Sequence, residues 1–269
     1  MTSPTIDLDA AVREAADRLL AAAAEHRPCA PVRDLIGASD INLAYAVQQR
    51  VNETRIAAGA RVVGRKIGLT SKAVQAQLGV DQPDLGVLFD DMEYDASAPV
   101  HDPRLIQPKA EAEIAFVLGA DLAEGELDLD QVRAAIEYAV VALEICDSRI
   151  ADWDIKFGDT VADNASAGGY VLGTERRTLA EFSPVEAEMR MSVTGQEDSV
   201  GNGAACLGDP LLAVQWLASA ARDLGEPLQA GQVILSGALG PMRPIGPGAE
   251  VHVAITGLGE LSIRMSEES

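Results

Sequence analysis

Basic residues are scarce: 21 Lys and Arg stand against 42 Asp and Glu in 269 residues, a formal charge of −21. Nucleic acid is held mainly by Lys and Arg neutralising phosphates, and no long basic run occurs, so nucleic acid is excluded as a partner. An anionic membrane surface is disfavoured for the same reason. Long apolar runs are lacking too. No window approaches the roughly 18 consecutive apolar residues of a spanning helix, and the opening MTSPTIDLDA has neither the basic nor the apolar region of a secretory signal. The three cysteines, Cys29, Cys146 and Cys206, are too few and too scattered for a disulfide framework or a thiolate metal cage. They fit a reducing cytoplasm. His26, His101 and His252 are the only histidines, so an all-histidine metal centre would need every one. Any metal is therefore expected on oxygen, chiefly on carboxylates.

What is present is 48% hydrophobic residues, enough for the core of one large domain or two small ones and too much for a chain disordered as a whole. Residues 7–25 are rich in Ala, Leu and charged helix formers and read as an amphipathic helix ending before Pro28. A second helix is expected over 40–58, with Ser39 as N-cap and Leu43, Val47 and Val51 on one face. From Arg61 onward short apolar runs alternate with Gly, Pro and Asp, as in RVVGRKIGLT, EIAFVLG, AVVALEI, GGYVLG, EMRMSVTG and GQVILSG; these read as strands. EVHVAITGLGELSIRM reads as a closing hairpin. Further helices are expected over 71–78, stopped by Gly79, over about 130–138, and over 209–224. The last has Asp209 as N-cap, Pro210 at the first position and Gly225 past the end. The chain thus divides into a helical section, 1–60, and a β-rich section, 61–269, in one structural unit. Strands outnumber helices without regular alternation, so the expected class is α+β on a mixed, largely antiparallel sheet. No G-x-G-x-x-G or Walker loop occurs, so nucleotide binding has no support.

The chemistry gathers on acids. Glu111 and Glu113 open the strand EAEIAFVLG, and residues two apart in a strand point the same way. Two adjacent carboxylates repel unless a cation or protons lie between them. The ordinary alternative is a solvated strand face with Ile114, Phe116 and Leu118 turned inward. Glu144 lies within the continuous apolar run AVVALEIC, typical of strands buried on both faces. An unpaired carboxylate there would cost several kcal/mol, so it needs a partner: either a nearby base such as Arg149, or a divalent ion shared with Glu111 and Glu113 that keeps open positions for water and substrate. Lys66, between Gly64 and Gly68, suits an electrophile or proton donor, or else a snorkelling surface lysine. Asp84 follows a proline in a turn-rich loop. The polar stretch 159–169 reads as a loop that can present Asn164 or Ser166, and SGALGPM, 236–242, can offer backbone N–H groups to an anion.

GRKIGLTSKAVQAQLGVDQPDLGVLFDDM, QPKAEAEIAFVL, ALEICDSRIADW, DTVADNASAGGYVLG, CLGDPLLAVQWLA and ILSGALGPM together resemble the 2-keto-4-pentenoate (2-hydroxypenta-2,4-dienoate) hydratases of the fumarylacetoacetate hydrolase superfamily, which serve meta-cleavage degradation of aromatic compounds. The likeness runs from about Pro31 to Gly259 and shows no departure at the metal positions. It implies a helical N-terminal part on a β-rich roll, a hydro-lyase, and Mg or Mn held by Glu111, Glu113 and Glu144. It places the family's lysine on Lys66, its loop aspartate on Asp84, its loop serine on Ser166 and a substrate-pocket position on Leu78. The implied reaction adds water to 2-hydroxypenta-2,4-dienoate to give 4-hydroxy-2-oxopentanoate: protonation at C5 makes C4 electrophilic, and water adds there. Asp84 would orient or deprotonate the water and Lys66 would balance charge at the enolate oxygen, roles that the two could exchange. Ser166 would hydrogen-bond the substrate. Relatives assemble as homo-oligomers, pentamers or decamers, and can associate with pathway enzymes. The rivals are the 4-oxalocrotonate decarboxylases, which share the metal triad and lysine motif, hydratases for a longer dicarboxylate, and a non-catalytic scaffold subunit of a decarboxylase–hydratase complex.

Overall fold

Asp7 turns the chain into the first helix of the computed structural model, which describes residues 7–72, 75–76 and 80–267. Its carboxylate accepts the Ala10 N–H at 3.2 Å, and α1, Leu8–Glu25, buries Val12, Ala15, Ala16 and Leu19 along one face. After a single turn, α2, Arg33–Ile36, the helix α3, Ile41–Ala57, follows. Its cap is Asp40 and not Ser39: Asp40 Oδ1 accepts the Leu43 N–H at 3.1 Å, the N3 donor that an N-cap side chain reaches. The helix expected over 71–78, and Leu78 with it, falls in whole or part outside the described residues.

Twelve strands follow among the described residues. The larger sheet has the order β2, Asp84–Phe89; β1, Val62–Gly68; β9, Val233–Leu235; β4, Lys109–Leu118; β5, Ile136–Cys146; β6, Ala167–Leu172; and β3, Glu93–Tyr94. The short β10, Arg243–Pro244, lies along the start of β4. Only the β1–β9 and β3–β6 pairs are parallel, so the sheet is mixed and largely antiparallel, as the strand pattern implied. A second, four-stranded antiparallel sheet has the order β12, Gly259–Arg264; β11, Glu250–Ile255; β7, Glu188–Val193; β8, Ser199–Asn202. The expected closing hairpin is β11–β12.

Three apolar clusters hold these parts. Ile114, Phe116 and Leu143 of the large sheet pack on Met191, Val253 and Leu261 of the small one. The opposite face of the large sheet buries Val87, Ala115, Val140, Ala142 and Tyr170. Burial on both faces is why β4 and β5 read as continuous apolar runs. The third cluster joins Leu19, Val32 and Val47 of the helical section to Ile150, Phe157 and Val161, the last two from the helix Phe157–Ala162 described below.

The helix α4, Leu129–Ala135, is capped by Asp128, which accepts the Gln131 N–H at 2.9 Å. It ends three residues earlier than expected because Ile136 and Tyr138 are already paired with Leu118 and Val117 of β4; strand pairing overrides helix propensity there. The sixth α-helix, Pro210–Asp223, has the Asp209 cap and Gly225 stop read from the sequence, the latter at φ 80°. It belongs to Gly203–Asp223, with mean hydropathy 1.2 the one helical stretch among the described residues long and apolar enough by composition to cross a membrane. In the fold it buries Leu211, Val214 and Leu217 in the core.

Close approach of β2 to the segment before β6 leaves no room for a side chain at Gly86: a Cβ there would lie 2.5 Å from the Asn164 carbonyl oxygen and 3.1 Å from Lys66 Cγ. Overpacking of this kind costs about 1–3 kcal/mol. Gly86→Ala should therefore lower the urea midpoint at unchanged slope, and a wild-type midpoint would refute the close approach.

Candidate metal and substrate site

The β4–β5 register sets Glu111 directly opposite Glu144, and Glu113 opposite Ala142, so strand alternation turns all three carboxylates to one face. From the neighbouring β1–β2 pair, Lys66 lies opposite Gly86, and Asp84 opposite Gly68. Asp84 is thus the first residue of a strand and not part of a loop, since the ladder to β1 already includes it. Glu113, Glu144, Lys66 and Asp84 are all at most 3% exposed. That excludes a solvated face at Glu113 and a snorkelling lysine, whereas Glu111 is half-buried and opens on the cavity described below.

Arg149 is not the partner of Glu144. Its guanidinium holds Asp163, Nε to Oδ1 at 2.5 Å, and the Ala167 carbonyl oxygen. The cation near Glu144 is Lys66, whose Nζ lies 3.2 Å from Oε1. The geometry of that contact is an ion pair and not a hydrogen bond, because both Glu144 oxygens lack a hydrogen-bond partner, as do Asp84 Oδ1 and Glu113 Oε1. Lys66 donates instead to the Ala165 carbonyl at 3.0 Å.

Residues 159–169 are not the plain loop that composition suggested. They comprise the end of α5, Phe157–Ala162, a single 3-10 turn, Asn164–Ser166, and the start of β6. Asn164, Ala165 and Ser166 have φ of 53°, 51° and 53°, a left-handed run that is strained for residues other than glycine. Asn164 presents nothing to a ligand, since its side chain is spent on the Val87 N–H and carbonyl at 2.8 and 2.9 Å. The turn instead points the Ala165 carbonyl at Lys66 and brings Ser166 Oγ to 3.5 Å from Thr160 Oγ1, itself 3.5 Å from Asp84 Oδ2. In the 236–242 segment, the Gly237 N–H donates to Glu113 Oε2 at 2.7 Å, so this donor serves a protein carboxylate.

These groups adjoin a cavity of about 400 Å³ lined by Lys66, Asp84, Glu111, Thr160 and Ser166, with Lys109, Trp153, Lys156 and Cys146 also on its wall. Lys109 Nζ lies 4.0 Å over the Trp153 ring. Four carboxylates thus act on the buried Lys66 ammonium, with Lys109 a second cation near Glu111. Burial first, and the Glu144 charge second, lift Glu111 to about 7 and hold Glu113 well above the usual carboxylate range. Burial, opposed by Lys66 and assisted by Glu144, lifts Asp84 to about 6. Burial alone would depress Lys66, but Glu144, with Cys146, Asp84 and Glu111, outweighs it and holds the ammonium charged. Buried oxygens without donors, in a cluster short of positive charge, are the chemistry of a hard divalent cation, and the residues fit one. Among the described residues, Glu111, Glu144 and Cys146 each bring one ligand atom within 4.8 Å of the other two, a group that does not include Glu113. Thr160, Lys109 and Cys146 were missed from the sequence. Cys146 was findable by the same two-residue alternation that linked Glu111 to Glu113.

Residues 57–266 match the fumarylacetoacetate (FAA) hydrolase C-terminal family model, and the chain belongs to that family. Among its relatives are the TodF product hydratase of Pseudomonas putida, 51% identical over 94% of both chains, and a 2-keto-4-pentenoate hydratase of Burkholderia vietnamiensis, 49% identical over 96% of this chain and 99% of that one. The structure of 4-oxalocrotonate decarboxylase from Pseudomonas putida G7, complexed with magnesium and adipate, is 32% identical and superposes with a TM-score of 0.87 over 98% of this chain and 100% of that one.

Cation uptake must displace the protons that this cluster holds. Affinity for Mn2+ should therefore rise with pH through about 7, the Glu111 value. In the cation-free protein the folded state retains protons that the unfolded chain releases above the ordinary glutamate value of 4.5. Its stability should fall as pH rises from there through 7, and added cation should restore it. Mn2+ titrations and denaturant melts across that window check both. Flat profiles would refute the protonated cluster.

Proposed function

We propose that this chain is a divalent-metal-dependent hydro-lyase that adds water to 2-hydroxypenta-2,4-dienoate to give 4-hydroxy-2-oxopentanoate in the meta-cleavage degradation of aromatic compounds. The observation that carries the reading is the buried carboxylate cluster with donor-free oxygens beside Lys66, facing a cavity sized for a small acid, in a chain about half identical over nearly its full length to 2-keto-4-pentenoate hydratases. Glu111, Glu113 and Glu144 would hold the cation, Mg2+ or Mn2+. When bound, it supplies Lewis acidity toward the C1 carboxylate and C2 oxygen of the substrate.

The chain's own groups do the rest. Lys66, kept charged by its carboxylates, balances negative charge at the C2 oxygen. Asp84, lifted to about 6, both takes and gives a proton near neutrality. It relays one from the attacking water, whose oxygen bonds to C4 once C5 has been protonated; C3 then takes a proton as the 2-oxo acid forms. Ser166 and Thr160 orient the substrate and the Asp84 carboxyl. The helical section 1–60 and the section 61–269 act as one unit, supported by their shared apolar cluster. The proposal includes a homo-oligomer in the cytoplasm; three free thiols suit a reducing compartment.

Freshly generated 2-hydroxypenta-2,4-dienoate should lose its ultraviolet absorbance only with Mg2+ or Mn2+ present, giving 4-hydroxy-2-oxopentanoate. Release of CO2 from 4-oxalocrotonate, with no hydration, would instead make the chain a decarboxylase, the activity of its 32%-identical structural neighbour. Lys66→Met should bind the cation yet turn over about 10²–10⁴-fold more slowly, and wild-type rates would remove Lys66 from the chemistry. Glu144→Gln should lose cation affinity and activity together; unchanged affinity would refute its ligand role.

A further inference from the structure

Cys146 lies two residues beyond Glu144 on β5, opposite Lys109 of β4, so alternation turns its thiol to the face that carries the glutamates. It is 4% exposed and adjoins the catalytic cavity. Its Sγ is 3.5 Å from Glu111 Oε2, and one ligand atom from each of Glu111, Glu144 and Cys146 lies within 4.8 Å of the other two. A buried cysteine is commonly only a small apolar filler. Here a second observation points to a ligand: both oxygens of the fully buried Glu144, a member of this group, have no hydrogen-bond partner, and only Oε1 is in ion-pair contact with Lys66, at 3.2 Å. Glu113, by contrast, has one oxygen committed to the Gly237 N–H.

We propose that Cys146 is a sulfur donor at this site, so that Glu111, Glu144 and Cys146 form a mixed carboxylate–thiolate seat for thiophilic divalent cations such as Zn2+, Co2+ or Cd2+. Occupation forms a metal–sulfur bond and releases the thiol proton to solvent, with no change of oxidation state. Sulfur favours these ions over Mg2+, and a thiophilic ion occupying Glu111 and Glu144 displaces the hard cation that the glutamates would otherwise hold. The inference rests on the divalent-cation reading of the same carboxylates.

Titrating the cation-free, full-length protein with Co2+ should produce a near-ultraviolet thiolate-to-cobalt charge-transfer band that saturates at one ion per chain. Cys146→Ser should abolish the band and weaken Cd2+ binding by about tenfold or more, while Mn2+ binding, followed by its paramagnetic resonance, is retained. Cys146→Ala provides the same comparison should the serine variant fail to fold, and the wild-type spectrum decides independently of either. Bound Co2+ without the band, or a band that survives removal of Cys146, overturns the sulfur donor. Mn2+ binding together with that result leaves the carboxylate site standing, whereas failure of every divalent ion to bind overturns both.

Discussion

The antiparallel pairing of β4 with β5 is the constraint on which the site depends. By setting Glu111 opposite Glu144 and carrying Glu113 on the same face, it brings three carboxylates to one face, two of them fully buried and Glu111 half-buried on the cavity wall. Like charges so placed would move apart if the backbone allowed it, since an uncompensated buried charge costs several kcal/mol. The backbone does not allow it. Both faces of these strands are covered, by Ile114, Phe116 and Leu143 on one side and Ala115, Val140 and Ala142 on the other, so displacing the glutamates would mean breaking the core. The repulsion is relieved locally by protons and by the Lys66 ammonium, an arrangement that a divalent cation would suit.

A second constraint positions the groups opposite the glutamates. The left-handed run Asn164–Ser166 is unfavourable on its own, yet it is fixed from three directions. Asn164 is tied to the β2 backbone at Val87, Arg149 clamps Asp163 just before the turn, and Gly86 lets the turn approach β2 closely. The product of this strain is a carbonyl aimed at Lys66 and a hydroxyl beside Thr160 and Asp84. Pre-organisation of this kind is what strained backbone at a site achieves.

Much of this was legible in the sequence because it is periodic. The two-residue alternation selected Glu111 and Glu113, the continuous apolar run marked Glu144 as buried, and Asp209, Pro210 and Gly225 bounded the helix that covers the sheet. What periodicity does not encode is pairing between distant segments. It could not show that Asp84 belongs to a ladder with Gly68, that Ile136 is drawn out of a helix by β4, or that Arg149 is engaged by Asp163 and leaves Glu144 to Lys66. A turn built from Asn, Ala and Ser at positive φ has no glycine to announce it, so the stretch read as a loop. The family resemblance pointed to Lys66, Asp84 and Ser166, whereas Thr160 emerged only once tertiary pairing was known and Cys146 lay two residues past Glu144 on the same strand.

The scarcity of basic residues takes on a different meaning at the cavity. A chain with 21 bases and 42 acids repels anions at long range, and surface charge governs solubility and encounter. Yet three lysines, Lys66, Lys109 and Lys156, line one cavity, beside buried acids that would suit a cation. Interactions at contact distance in a site of low polarity outweigh screened surface charge, because the latter fades within about 8–10 Å at ordinary salt. The same excess of acid that disfavours polyanions therefore coexists with a lysine-lined cavity of the kind the proposed small-acid substrate requires, and the distinction lies in which acids are buried beside Lys66 and which are solvated.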